Sequence, residues 1–446
     1  MTDARADALP VAATLRRSIG PFQLTLYGLG SMLGSGIYGL IGQAAGQTGN
    51  AVWLAFLVAM VAALLTALSY ASLGSRYPRA GGAAYMAERA FGMPLLSFVV
   101  GLAVVCSGLT SIATQSQVFA VNLGAMLGLT FLPVWAITIG FLLIVTGLVL
   151  RGIRESMWVN VVCTLIEAAG LLLVIAVGIP YWGSVNLLET PSLPGGDALI
   201  VLIIQGAVLT FFAFIGFEDS LNVAEECRDP QRTIPIALIS AMVLGAMIYV
   251  AVAITAVSVV PWQELAAAPA PLAEVMERAA PAIPALIFTG ITLFAVGNTA
   301  LVNYVTSSRM VYGMARQGLL PKGLGKVHDR TQTPHIAASA LLLLLVPLAF
   351  FGSIAELASA TVLLLLVVFA IVNGALLVLQ GRTGEANGKF EVPRWVPALG
   401  TLVCIALIAV RVTTGDWKAP ALAGALLVGI VGLHVLMRRR ILPVTD

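Results

Sequence analysis

Charge is scarce in this sequence: Asp, Glu, Lys and Arg make up 10% of its 446 residues, against 59% hydrophobic ones. With a mean hydropathy of +0.98, too little polar surface remains to keep a globular chain of this size dissolved, which excludes a large soluble enzyme. Cysteine is nearly missing. Cys106, Cys163, Cys227 and Cys404 share no ligand spacing and three of them fall within apolar runs, so they read as small core residues rather than disulfides or metal ligands. The histidines, His328, His335 and His434, are set apart along the chain, which argues against a haem-bearing or quinone-reactive membrane enzyme. There is no Gly-rich phosphate loop with its lysine, which argues against direct ATP use. There is also no nucleophile paired with a base, so no catalytic residue, cofactor or metal is expected. Met1 to Gly20 has no apolar stretch of its own, and no cleavable signal is expected there. The formal charge of +3 is spread over many connections instead of gathered in one patch, so no nucleic-acid partner is expected either.

What the chain has in abundance is apolar runs. Twelve can be ordered, at 21–44, 51–74, 95–122, 133–150, 157–179, 198–224, 234–260, 282–312, 336–352, 355–379, 396–414 and 419–437. Most reach the roughly 20 residues that cross about 30 Å of hydrocarbon. If the amino terminus is cytoplasmic, 21 of the 24 Lys and Arg fall on that side, and only Arg278, Arg411 and Lys418 on the other. That asymmetry is a strong positive-inside signal. It predicts a multi-pass protein of the cell membrane with an even number of spans and both termini cytoplasmic, including the tails 1–20 and 438–446.

Two of the runs carry glycine where a helix should be continuous. The first contains Gly34-Ser35-Gly36-Ile37-Tyr38 and the sixth Phe212-Ala213-Phe214-Ile215-Gly216-Phe217-Glu218. Glycine costs up to about 1 kcal/mol in a helix interior and lets the backbone leave helical geometry. In lipid such an interruption is tolerated only where it lines protein or water. The alternative is close packing of neighbouring helices, as small residues allow; that reading suits Gly28, Gly30 and Gly39 better than the mid-run Gly34, Gly36 and Gly216. Interruptions five runs apart predict an inverted repeat, with one copy over 21–179, a second over 198–379, and 396–437 appended.

On these residues the chain resembles the amino acid, polyamine and organocation transporter superfamily. The resemblance also rests on Tyr77-Pro78-Arg79-Ala80-Gly81-Gly82, on Glu225-Glu226-Cys227-Arg228-Asp229-Pro230, and on Ser308-Arg309-Met310-Val311-Tyr312-Gly313 through Pro321. It implies an all-α membrane protein of twelve transmembrane helices in a five-plus-five inverted repeat like that of the bacterial leucine transporter, with helices 1 and 6 broken. It further implies that N–H groups around Ser35, Gly36 and Ile37 take a substrate carboxylate, while carbonyls near Gly34, Phe214 and Ile215 meet its ammonium group. Phe212, Phe214 and Phe217 are the candidate pocket walls.

Glu167 is the one ionisable group deep in a run other than the sixth. A carboxylate at that depth costs about 2.5 to 3.5 kcal/mol even on permissive insertion scales, so it should face the bundle interior. Some relatives resembled here carry a lysine on helix 5 in what looks like this position; an acid could instead take a proton, a cation or a substrate amine. Glu218 follows Gly216 at a helix start, where it could cap the helix or act in coupling, as a glutamate does at the corresponding place in the arginine-agmatine antiporters resembled here. Ser107 and Ser111, with Thr114, form one stripe, and Asn298, Thr299 and Asn303 another; both are possible substrate or ion contacts or polar glue between helices. In the outer connection 261–281, Leu272, Val275, Met276 and Ala279 form an apolar face suited to a lid. The expected partners are therefore a small-molecule substrate (an amino acid or amine), a proton or other cation, and the lipid bilayer. The expected activity is secondary active amino acid transport, by proton-coupled symport or exchange with alternating access. A cationic amino acid or polyamine transporter is the alternative, and a channel or transport-like sensor the reading from another class.

Overall fold

The computed structural model describes residue 15 and residues 17–441 apart from 80, 129–131, 192–198, 269, 351–353, 386 and 415–416. The helices, in chain order, are α1 (Pro21–Met32), α2 (Ser35–Thr48), α3 (Val52–Arg76), α4 (Gly82–Phe91), α5 (Pro94–Leu127), α6 (Val134–Arg151), α7 (Ile153–Gly178), α8 (Leu199–Thr210) and α9 (Asp219–Asn222). They continue as α10 (Pro230–Val259), α11 (Trp262–Ala267), α12 (Pro271–Ala279), α13 (Ala285–Arg316), α14 (His335–Leu348), α15 (Ile354–Gly381), α16 (Trp395–Thr414) and α17 (Lys418–Ile441). Among the described residues there is no β-strand, only an isolated bridge between Ile19 and Cys227.

Among the described residues, eight helical stretches are long and apolar enough to cross a membrane. A ninth arises if Leu199–Ala207 and Phe211–Asn222, bent by 41° at their break, form one span. Of the other runs, the first is divided at Leu33 and Gly34 into helices of 12 and 14 residues, and the ninth and twelfth contain the shorter apolar helices His335–Leu348 and Ala423–Met437.

The helices pack inside-out relative to a soluble bundle. Ile144, Leu172, Met247 and Leu343 are exposed on the outside, while α3 buries Ala59, Ala63, Ala67, Thr66, Ser69 and Ser72 on the inside. Small inward residues let backbones approach where lipid supplies no hydrophobic drive between helices. The largest helix contacts are α5 with α13 and α3 with α10; α1 lies among α7, α10 and α13. On one end, α11 and α12 sit against α2, with Leu272, Val275 and Met276 buried. Arg278 ties these two helices together through Glu264 and, at 3.0 Å, Glu274.

Two sequence expectations are corrected here. His328 and His335 are brought together by a turn in which Gln332 N–H donates to the His328 carbonyl, leaving the rings 5.4 Å apart. The basic residues are not all scattered either: Arg17, Arg76, Arg79 and Arg316 share one cleft.

Candidate functional site

The site is built from two interruptions that touch. Between α1 and α2 the backbone leaves helical geometry at Gly34 (φ −56°, ψ −151°), and α2 begins without a side-chain cap. Its first N–H groups are therefore unsatisfied by any cap and available to an anion. In the other interruption α8 tightens into a 3₁₀ turn, Phe211–Phe214, and turns out through an extended Ile215. Gly216 then takes φ +121°, a conformation side chains rarely adopt, before α9 starts at Asp219. A Cβ on Gly216 would lie 2.9 Å from the Ser31 carbonyl carbon, and one on Gly36 would lie 2.9 Å from Ala213 Cα. Each interruption thus rests on the main chain of the other. Tyr249 of α10 fastens them: its Oη lies 2.5 Å from Met32 O and 2.9 Å from Ala213 O, sharing one proton between the two carbonyls.

A central cavity of about 50 Å³ opens where they meet, several times the roughly 10–15 Å³ that one water requires. Gly34, Gly36, Phe212, Ile215, Gly216 and Glu218 line it from the interruptions, joined by Ser31 and Asp219. Ser107, Ser111 and Gln115 of α5, Thr299, Asn303 and Thr306 of α13, and Thr361 of α15 complete its polar wall. Within this wall Ser31 Oγ donates to Asp219 Oδ2 (2.6 Å) and Asn303 Nδ2 donates to Ser111 Oγ (3.3 Å). Glu218 stands at the start of α9 without capping it; its Oε2 accepts from Gly216 N–H (2.9 Å), bracing the turn. No Lys or Arg is among the lining residues.

The remaining candidates are placed elsewhere. Phe214 is fully buried with its ring 5.2 Å from that of Tyr249, and Phe217 lies between Tyr70 (5.7 Å) and Phe369 (5.3 Å). Neither lines the cavity, nor does the buried Ile37; the Ser35 side chain lies outside the described residues. Asn298 belongs to a second polar cluster. It accepts from Asn160 Nδ2 (2.9 Å) and donates to Thr164 Oγ1 (2.9 Å), and Thr164 in turn donates to the Leu26 carbonyl (3.3 Å), joining α13, α7 and α1. Glu167, one turn on from Thr164, is fully buried, and neither carboxyl oxygen reaches a partner in hydrogen-bond geometry, although the Asn298 amide lies beside it.

At the Arg-rich end, Glu226 and Arg309 form a fully buried two-pronged ion pair (3.1 and 3.2 Å). The Glu226 carbonyl also accepts from Ser18 N–H and Ile19 N–H, tying the segment before α1 to the turn after α9 and, through Arg309, to α13.

Sequence reasoning passed over Tyr249, Ser31, Gln115, Thr306 and Thr361. Gln115 and Thr306 follow Ser111 and Asn303 at spacings of four and three, so helical periodicity could have found them. A lone tyrosine deep in an apolar run was the available signal for Tyr249. Thr361 carried none.

Two facing backbone interruptions around a polar cavity, held in a bundle of membrane-length helices, define the class as a multi-pass membrane transport protein. More particularly, the chain belongs to the amino acid permease family, which it matches over residues 19–429, and so to the amino acid, polyamine and organocation superfamily. It is 30% identical over 425 residues to a branched-chain amino acid permease of Bacillus subtilis, covering 89% of this chain and 88% of that protein. A methylthioribose transporter of the same organism is 29% identical over 415 residues, covering 88% of each. Cationic amino acid transporter 4 of Mus musculus is 32% identical over 379 residues, covering 78% of this chain and 59% of the mouse protein.

Proposed function

We propose that the chain is a secondary active transporter of an amino acid, working by alternating access in the cell membrane. One observation carries this reading: the uncapped start of α2 and the turn at Ile215–Gly216 line one small cavity together with the adjoining carboxyl groups of Glu218 and Asp219. An unwound pair of helices offers donors to a substrate carboxylate and carbonyls with carboxylates to its ammonium group. Main-chain recognition leaves the third substituent to Phe212 and the α5 and α13 side chains. Amino acids as different as the branched-chain and cationic ones named for two of the relatives are compatible with such a site.

The architecture proposed with it is twelve transmembrane helices with both termini cytoplasmic, in which 21–179 and 198–379 are inverted repeats. In support, the interruptions lie five runs apart, and the largest helix contacts pair α3 with α10 and α5 with α13, each also five runs apart. Proton coupling is assigned to Glu167 and Glu218, both of them buried carboxyl groups.

A second reading, a cationic amino acid or amine as substrate, is favoured by Glu218 and Asp219 lining a cavity with no Lys or Arg among its lining residues. A thermal-shift screen of amino acids, polyamines and methylthioribose on purified protein separates these, because a ligand bound only to the folded state raises its melting temperature. Liposome uptake with and without a pH gradient then tests coupling. A preference for methylthioribose over every amino acid, or conduction without counterflow, would overturn the proposal.

A further inference from the structure

The cleft shared by the four arginines has no part in the central cavity. It encloses about 690 Å³ and draws Arg17 from the segment before α1, Arg76 and Arg79 from the end of α3, Glu225 from the turn after α9, and Arg316 from the end of α13. Arg76 is neutralised by Glu391, which accepts from Nε (2.7 Å) and Nη2 (2.6 Å). Arg316 spends its near hydrogen bond on a neutral group, the Tyr312 hydroxyl (3.0 Å). Arg17 and Arg79 make no ion pair among the described residues. Three guanidinium groups therefore face a single lining carboxylate, an excess of about two positive charges, which matches the charge of about −1.5 to −2 on a phosphomonoester at neutral pH. Guanidinium groups also meet phosphate oxygens in a two-pronged geometry that an ammonium lacks. Positive-inside placement explains basic residues on this end, but not their convergence from three distant segments on one concavity lined by the tilted rings of Tyr77 and Tyr85, 6.2 Å apart.

We propose that this cleft binds a phosphate-bearing anion, either a soluble phosphate compound or a phosphomonoester lipid headgroup. Bound there, the anion staples the segment leading into α1 to the α3–α4 connection and to the end of α13.

The test uses the full-length chain in phosphatidylcholine nanodiscs, with inorganic pyrophosphate added in one arm and phosphatidic acid included in the bilayer in the other, and reads melting temperature. A rise with pyrophosphate upholds the proposal and identifies a soluble ligand; a rise with phosphatidic acid alone upholds it and identifies a headgroup. In the Arg17→Gln/Arg79→Gln variant the apparent affinity should fall about tenfold or more. Lys322→Gln/Lys326→Gln removes the same charge from the same end outside the cleft and should keep the shift. If the double arginine variant does not fold, Arg79→Gln alone is read in the same way. No shift with either probe, or an equal loss in the lysine variant, overturns the proposal.

Discussion

Tyr249 Oη touches both helix interruptions, so its removal tests whether their contact matters. Tyr249→Phe keeps the ring packed on Phe214 and Phe56 but strips the proton from two buried carbonyls. Unsatisfied buried groups cost about 1–3 kcal/mol, so the variant should melt lower and bind substrate at least tenfold more weakly by thermal shift. The neighbouring phenylalanines should divide. Phe212 lines the cavity, so Phe212→Ala should reorder substrate preference in uptake competition. Phe214 is buried away from it, so Phe214→Ala should cost about 3–5 kcal/mol of stability as a core truncation and leave the rank order intact; unchanged preference in both variants would remove Phe212 from the pocket wall. The two positions look alike in sequence because aromatics at i and i+2 carry no mark of which side faces a ligand. Gly36 shows the same limit from the other direction. Its need for glycine was legible, but the reason was not: a side chain there meets the Ala213 main chain before it meets any ligand, so Gly36→Val should part the interruptions as well as abolish binding.

Between elements, the contacts fall into groups that respond to different perturbations. Glu226 and Arg309 are fully buried against each other, and truncating one partner strands the other charge, a loss of about 3–5 kcal/mol. Arg309→Met should therefore be poorly folded by size-exclusion and thermal melting, with Glu226→Gln/Arg309→Met recovering part of the loss. The α15–α16 connection behaves differently. Glu385 accepts from Tyr77 Oη (2.5 Å) and pairs with Arg89 (3.1 Å), and the tyrosine hydrogen bond, followed by the arginine, holds its carboxyl below the usual carboxylate range. A depressed value means the link contributes fully above the ordinary carboxylate range and is lost only as pH falls through the lowered value. It should be constant from about pH 5 to 8, so Glu385→Gln should shift the melting temperature by a similar amount at both ends of that window. A shift confined to the acid end would contradict the assignment. Element boundaries were legible where hydropathy is long and unbroken, as in α3, α5 and α10. They were less so in α4 and α11, which are too short or too polar for a hydropathy pattern to register.

At the scale of the whole molecule, the proposed proton coupling needs a buried group that can gain and lose a proton, and Glu167 is the residue proposed for it. It lies outside the lining of the cavity, beside the polar cluster that joins α1, α7 and α13, and its oxygens reach no partner in hydrogen-bond geometry. The sequence singled out this residue because an acid in an apolar run is costly. It could not tell a substrate contact from a remote one, since depth along a helix does not say which neighbour is met. One substitution distinguishes the two roles. Gln cannot ionise but keeps nearly the same volume, so Glu167→Gln should abolish accumulation driven by a pH gradient and flatten the pH dependence of uptake. Substrate binding by thermal shift, and exchange of labelled against unlabelled substrate, should persist. If Glu167 instead touched a cationic substrate, the same change would weaken binding at every pH. Accumulation by the Gln variant at the parent rate, with unaltered affinity, would remove both roles and leave Glu167 as a buried packing residue.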